Sequence, residues 1–328
     1  MTTTTTTWTS QILTEAIGIA AIPAHTGDKQ VMLPLCNQKN MDGASTLTDQ
    51  IAVDTDLGPS PGIAEGVAAV EVDLTKGTPV QVTPTEFGQV HNITDRALRR
   101  RVPGMTSDQV WDVFRNNDLP GMVAMLGPDA NRATKMLLEA QELAVTGTIP
   151  AMTNTVGVTA TPNSVTNMIN ALFQHKILEP DHDERVYCLT EKGWNDIRLE
   201  LGVTGGAGSG LEGAVWFMQG DLSFFNDRPD VSRNGFIGTF MGVGSYAMTE
   251  SVKQTSGGDE FGVLMSRGEG VPDEPDSLVG AVYYVEGHAI LFDVDKILRQ
   301  RSLDLLAKDE HAAALLDDDK AIRFIYAS

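Results

Sequence analysis

The sequence predicts a mixed α+β protein, and three observations carry that prediction. The stretch Val80-Gln-Val-Thr-Pro-Thr-Glu-Phe-Gly-Gln-Val-His-Asn-Ile-Thr-Asp-Arg-Ala-Leu98 alternates like a strand and then runs into a helix start. From Asp129 to Val145 the residues Ala130, Ala133, Met136, Leu137, Ala140, Leu143 and Ala144 keep the three-to-four spacing of one apolar helix face. The last third then returns to strand patterns, at Leu278 to Val285, Ala289 to Phe292 and Ile322-Arg-Phe-Ile-Tyr326. At 328 residues the chain is long enough for one large domain or two smaller ones, each with its own core.

Taken in order, the residues before about Gly66 are rich in Thr, Asp, Gly and Pro, with short apolar runs such as Val31-Met32-Leu33-Pro34-Leu35. They read as an extended arm that another surface must order, in an oligomer a neighbour's surface, so the arm of a free subunit is expected to be mobile. Val70, Val72 and Leu74 alternate with Glu71 and Asp73, Lys76-Gly77 supplies a turn, and Val80 and Val82 resume the period of two. Such a hairpin has little of its own to bury and is expected to rest on another surface.

A helix is predicted from Thr106 to Phe114, with Thr106 or Ser107 as cap and Val110, Val113 and Phe114 on one face. Pro120-Gly121 interrupts the chain after it, so the better helix is expected to begin near Asp129 and to stop at Gly147. Ser164 can cap a helix carrying Val165, Met168, Ile169, Leu172 and Phe173. Val186, Tyr187 and Leu189 form a short buried strand, and Thr190-Glu-Lys-Gly193 opens a further helix with Trp194, Ile197, Leu199 and Leu201 on its apolar side. Because a chain seldom ends in an apolar run unless a sheet receives it, Ile322 to Tyr326 is expected to be tucked in beside the strands that flank the long helix.

Several of these segments resemble, in order, parts of the major capsid proteins of tailed bacteriophages with the Hong Kong 97 coat fold. Thr83-Pro-Thr-Glu-Phe-Gly88, followed by Ile93-Thr-Asp95, is similar to the segment that closes the family's extended loop. Leu119-Pro-Gly-Met-Val-Ala-Met-Leu-Gly127 and the helix after it resemble the spine helix. Ser164 to Leu201 resembles the family's next helix, strand and helix, with Glu179-Pro-Asp181 at the turn and Glu184-Arg-Val-Tyr-Cys-Leu-Thr190 as the buried strand. Asn234-Gly-Phe-Ile-Gly-Thr-Phe-Met-Gly-Val243 resembles the Gly-punctuated strand that leads to a short surface turn, here Gly244-Ser245-Tyr246. The amino-terminal region and everything after Ser251 match only loosely.

The resemblance implies an α+β capsid fold with an N-terminal arm at 1–65 and an extended hairpin loop with its return strand at 66–98. The spine helix and the start of the peripheral domain come next at 99–163, then a mostly axial domain at 164–275, and the closing strands of both domains at 276–328. It implies a coat protein without enzymatic activity that assembles through pentamers and hexamers into an icosahedral head around double-stranded DNA. Such a protein would assemble in the bacterial cytoplasm and reside in the virion, with a separate scaffolding protein, a portal and a decoration protein as partners. An encapsulin-type compartment, which shares the fold, is the first alternative. Expected subunit contacts are Lys76 and Gly77 at the loop tip, the basic cluster Arg96, Arg99, Arg100 and Arg101, and Gly244, Ser245 and Tyr246.

Composition and motifs narrow the chemistry. With 44 acidic and 24 basic residues the net charge is −20, which argues against a protein built to grip nucleic acid, since counterion release needs clustered Lys and Arg. Cys36 and Cys188 lie in unrelated segments and offer neither metal-ligand spacing nor a disulfide framework. No basic-then-apolar leader is visible, and no apolar run is long enough to span a bilayer. His175, His182, Asp183 and Glu184 could meet as a metal site and so admit a metal-dependent hydrolase, but the paired spacing of such sites is missing. Gly205-Gly-Ala-Gly-Ser-Gly210 is followed by Leu211-Glu212 rather than Lys and Ser or Thr, so it is not a phosphate loop. Ser245 lacks the flanking glycines of a nucleophile elbow. His91 reads as a strand residue, Asp95 as a helix cap and His288 as a strand residue. No cofactor is expected.

Overall fold

The computed structural model describes residues 30–41, 48–51, 79–116, 118–157, 164–180, 184–194, 197, 235–268, 280–297 and 302–327. The alternating segment forms strand β4 (Thr85–Thr94), which passes at Asp95 into helix α1 (Asp95–Arg101). Helix α2 (Ser107–Arg115) opens on a complete capping box, in which Thr106 and Gln109 each satisfy the other's backbone N–H. Helix α3 (Leu119–Thr146) comes next, 28 residues and so about 42 Å long.

The long helix therefore begins ten residues before the expected Asp129. Pro120 sits in its first turn, where the missing N–H would have no intrahelical acceptor. Pro128 lies inside the helix but on its exposed side, where the one lost hydrogen bond can be replaced by solvent. The expected apolar face is also rotated. Met122, Met125, Leu126, Ala130, Ala133 and Leu137 are buried, whereas Met136 and Leu143 face outward and Gln141 and Glu142 face inward.

Helix α3 lies on a four-stranded sheet of order β1-β11-β12-β4, built from β1 (Asn37–Asn40), β11 (Val282–Ile297), β12 (Ser302–Leu315) and β4. β12 pairs antiparallel with β4, Leu303 opposite Ile93 and Asp309 opposite Phe87. The period of two places Leu303, Leu305, Ala307, Asp309 and His311 on one face, all buried. The three apolar residues pack with Phe292, the inner face of α3, and Leu98, Trp111 and Phe114 from α1 and α2. A small cluster of Met41, Val82, Tyr283, Val285 and Leu316 also draws on this sheet. In it stands β3 (Val80–Val82), whose described partner is β2 (Asp49–Ile51). Residues 70–78 of the expected hairpin, with Lys76 and Gly77, lie outside the described residues.

A seven-stranded sheet of order β5-β13-β10-β6-β8-β7, with β9 added to β10, forms the other half. Its strands are β5 (Thr155–Val156), β6 (Arg185–Thr190), β7 (Phe236–Phe240), β8 (Val243–Met248), β9 (Gln254–Ser256), β10 (Asp259–Ser266) and β13 (Ala321–Ala327). Helix α4 (Ser164–Leu178) covers one face with Met168, Ala171 and Leu172 against Tyr187, Leu264, Ile322 and Phe324. Phe173, expected on that buried side, is 57 % exposed. Thr190 Oγ1 accepts from Gly193 N at 3.1 Å, which starts the helical turn before Trp194.

Two expectations are corrected by this packing. The terminal run enters the seven-stranded sheet between β5 and β10, away from α3, because it is apolar on both faces: Ile322 and Phe324 meet α4, while Ala321 and Ile325 point the other way. Residues 30–41 are ordered by the subunit itself. Val31, Met32, Leu33, Leu35 and Cys36 are buried in a third core that also takes Val145 and Ile149 of the α3 end, Val186, Cys188 and Val263 of one sheet, and Val282 and Tyr284 of the other. The segment is thus a wedge between the two sheets. Gly268 and Gly280 let the backbones close on it, since a Cβ on Gly268 would stand 2.4 Å from Asn37 N.

Because Phe324 is fully buried between α4 and β10, Phe324→Ala should cost about 3–5 kcal/mol in urea unfolding. A cost under about 0.5 kcal/mol, the range of an unremarkable surface change, would show that β13 does not hold this interior position.

Candidate functional site

The sequence candidates for chemistry take structural roles in the fold. His175 is completely buried. Its Nδ1 accepts from Arg185 Nε at 3.1 Å, and its Nε2 lies 3.2 Å from the Lys320 carbonyl and 3.3 Å from Ser266 Oγ. The ring is therefore a structural link between α4, β6 and β10 with no nitrogen left for a metal. His182 and Asp183 lie outside the described residues, and no group of three potential metal ligands occurs among the described ones. His91 lies in β4 and His288 in β11, as expected, whereas Thr94 holds the cap position expected of Asp95, which is the first residue of α1.

Gly244-Ser245-Tyr246 is not a surface turn. The three residues run inside β8, parallel to β6, and Ser245 is fully buried. The turn lies three residues earlier, at Met241-Gly242, both with positive φ (52° and 81°), the backbone twist of a tight two-residue hairpin between β7 and β8.

The basic cluster divides. Arg101 points inward: its Nη1 donates to the Met125 carbonyl at 2.6 Å and touches the Asp129 carboxylate at 2.5 Å. It thereby fastens α1 to α3 on either side of Pro128. Arg99 pairs with Asp95 one turn away at 3.0 Å. Arg96 and Arg100 are exposed and make no ion pair among the described residues. Apolar groups are exposed in other places: Met136 and Leu143 along α3, Phe173 and Ile177 one turn apart on α4, and Val90 and Leu291 on the four-stranded sheet.

The residues that sequence reasoning missed are the buried polar ones under α3. Both oxygens of Glu142 accept backbone N–H groups of the wedge, from Met32 at 2.6 Å and from Leu33 at 3.0 Å. Next to it, Gln141 donates to Asp309 Oδ2 at 2.7 Å and accepts from Gln30 at 2.5 Å. Asp309 also meets His311 Nδ1 at 3.2 Å, and the His311 ring stacks on Phe87. A polar pair on an otherwise apolar turn of a long helix was the one available signal, and its partners lie more than a hundred residues away.

Within the described residues the arrangement offers surfaces and structural ties rather than a reaction centre. Comparison with known proteins agrees on the architecture. No protein-family model matches the sequence, and no curated protein does. Solved structures match over nearly the whole chain. A structure of Mycobacterium phage Che8 matches at 13 % identity, TM-score 0.54, over 90 % of this chain and 91 % of that one. The capsid of a native GTA particle matches at 12 % identity, TM-score 0.55, over 91 % and 90 %. The holo-SrpI encapsulin complex from Synechococcus elongatus PCC 7942 matches at 11 % identity, TM-score 0.50, over 94 % and 95 %. The chain has the Hong Kong 97 coat fold.

Arg101→Ala should lower unfolding stability by about 1.5–3 kcal/mol, the range for a hydrogen bond to a charged group, while Arg100→Ala leaves the urea midpoint unchanged. Equal midpoints for the two variants would show that Arg101 does not fasten α1 to α3.

Proposed function

We propose that the chain is the major capsid protein of a tailed double-stranded DNA bacteriophage, a non-enzymatic subunit that assembles through pentamers and hexamers into an icosahedral head. The observation that carries this reading is the end-to-end likeness of fold to a phage structure and a GTA capsid, about nine-tenths of each chain. A fold-level likeness says nothing of sequence-specific chemistry, and a shell needs none. Closed symmetry repeats each contact many times, so contacts worth a few tenths of a kcal/mol apiece are sufficient in sum.

In this reading Lys76, Gly77, Arg96, Arg99 and Arg100 belong to subunit contacts, and the exposed turn Met241-Gly242 takes the place first given to Gly244-Ser245-Tyr246. The net charge of −20 supplies the carboxylates that Arg96 and Arg100 of a neighbour would meet. It also favours an inner wall along which packaged DNA slides rather than sticks. A scaffolding protein, a portal and a decoration protein are the partners this reading adds. The second reading, an encapsulin-type compartment assembled in the cytoplasm, has the equally complete match to the holo-SrpI encapsulin in its favour.

Negative-stain electron microscopy of the protein expressed alone, and with a scaffolding partner, tests the shell reading. Uniform round shells, or tubes of the same subunit, are expected; strictly monomeric or dimeric protein under both conditions would overturn it. Nuclease-protected double-stranded DNA in particles from infected cells selects the phage head, and a protein cargo without DNA selects the compartment. Arg96→Glu with Arg100→Glu should abolish shells while leaving the subunit folded by circular dichroism.

A further inference from the structure

We propose that Glu142 is a proton-controlled clasp for the wedge 30–41, holding it firmly in acid and loosely in alkali. The geometry comes first. Glu142 is fully buried about one turn from the end of α3, its two oxygens aimed at the consecutive N–H groups of Met32 and Leu33. Those donors stand at the start of the 3-10 turn Leu33–Leu35, where Pro34 and the tight turn leave the first N–H groups without partners of their own. The carboxyl is thus the acceptor on which the seat of the wedge depends.

The groups that face it do not neutralise it. Cys36 from the wedge and Cys188 from β6 are buried thiols whose ionisation is pushed up by burial and by the Glu142 charge itself. Tyr284 of β11 shares the same core, and Asp309 and His311 of β12 reach α3 through Gln141. No Lys or Arg forms an ion pair with Glu142 among the described residues. Loss of hydration is then the largest influence, opposed by the backbone N–H groups of Val31, Met32 and Leu33, and the carboxyl is pushed up to about 7.

Proton linkage gives the sign. A carboxyl in water releases its proton at about pH 4.3, whereas the seated one holds it to about neutrality. Between these limits the seated state binds more protons than the unseated one, so seating is strongest in acid and weakens as pH rises through about 7. Above that, the seated carboxylate remains ionised in the core while the unseated one gains full hydration. The inference concerns the isolated subunit and stands whether or not it assembles.

Amide hydrogen exchange of the unassembled protein, each rate divided by that of an unstructured chain at the same pH, reads the clasp directly. Protection at Met32 and Leu33 is expected to fall on the order of tens-fold between about pH 5 and pH 8. Glu142→Gln should remove the pH dependence. Constant protection in the natural protein, or the same fall in the Gln variant, would overturn the proposal. Should the Gln variant fail to seat the wedge, carboxyl 13C titration of the natural protein decides. A Glu142 midpoint near neutrality supports the clasp, and one in the ordinary range near 4 contradicts it.

Discussion

The structure depends on a carboxyl group that cannot be hydrated meeting N–H groups that cannot be hydrated. Glu142 and the backbone at Met32 and Leu33 are each costly to bury alone, and together they let this early segment be threaded between two sheets. Around that tie gather Val145 and Ile149 from the long helix and its end, Val282 and Tyr284 from one sheet, and Val186, Val263 and Ile325 from the other. Without the wedge, these groups would have to close over a gap, and protein interiors tolerate such gaps poorly.

This arrangement explains the character of α3. Its first two-thirds form an ordinary apolar seat on β12, supported by α1 and α2. Its last third turns polar residues inward because Asp309 and the wedge supply partners there, which releases Met136 and Leu143 to the outside. A helix of this kind connects both sheets and still leaves Met136 and Leu143 exposed on its outer side. The exposed pair Phe173 and Ile177 on α4, 57 % and 78 % accessible, gives the other half a comparable surface.

How much of this was legible in the sequence depends on the range of the interactions involved. The passage from β4 into α1, the Thr106 cap, the buried strand at β6 and the strand at Ile322 to Tyr326 rest on neighbours in sequence or on period, and all four are present. The start of α3 was misplaced because Pro120-Gly121 read as a break, although the first turn of a helix tolerates proline. The inward Gln141 and Glu142, the buried course of residues 31–36 and the sheet that receives β13 depend on partners more than a hundred residues distant, or on which face another sheet covers. Local pattern holds no record of those. Of the expected contact residues, Arg96 and Arg100 are exposed, Arg101 is engaged within the subunit, and Ser245 is interior.

The most direct measurement is urea unfolding of Glu142→Ala near pH 6, beside the natural protein. If the tie closes the junction between the sheets, the variant leaves buried N–H groups at Met32 and Leu33 without an acceptor and loses about 2–5 kcal/mol, with the transition still cooperative elsewhere. An unchanged midpoint would mean that the wedge is held by apolar contacts alone and would contradict the account at its centre.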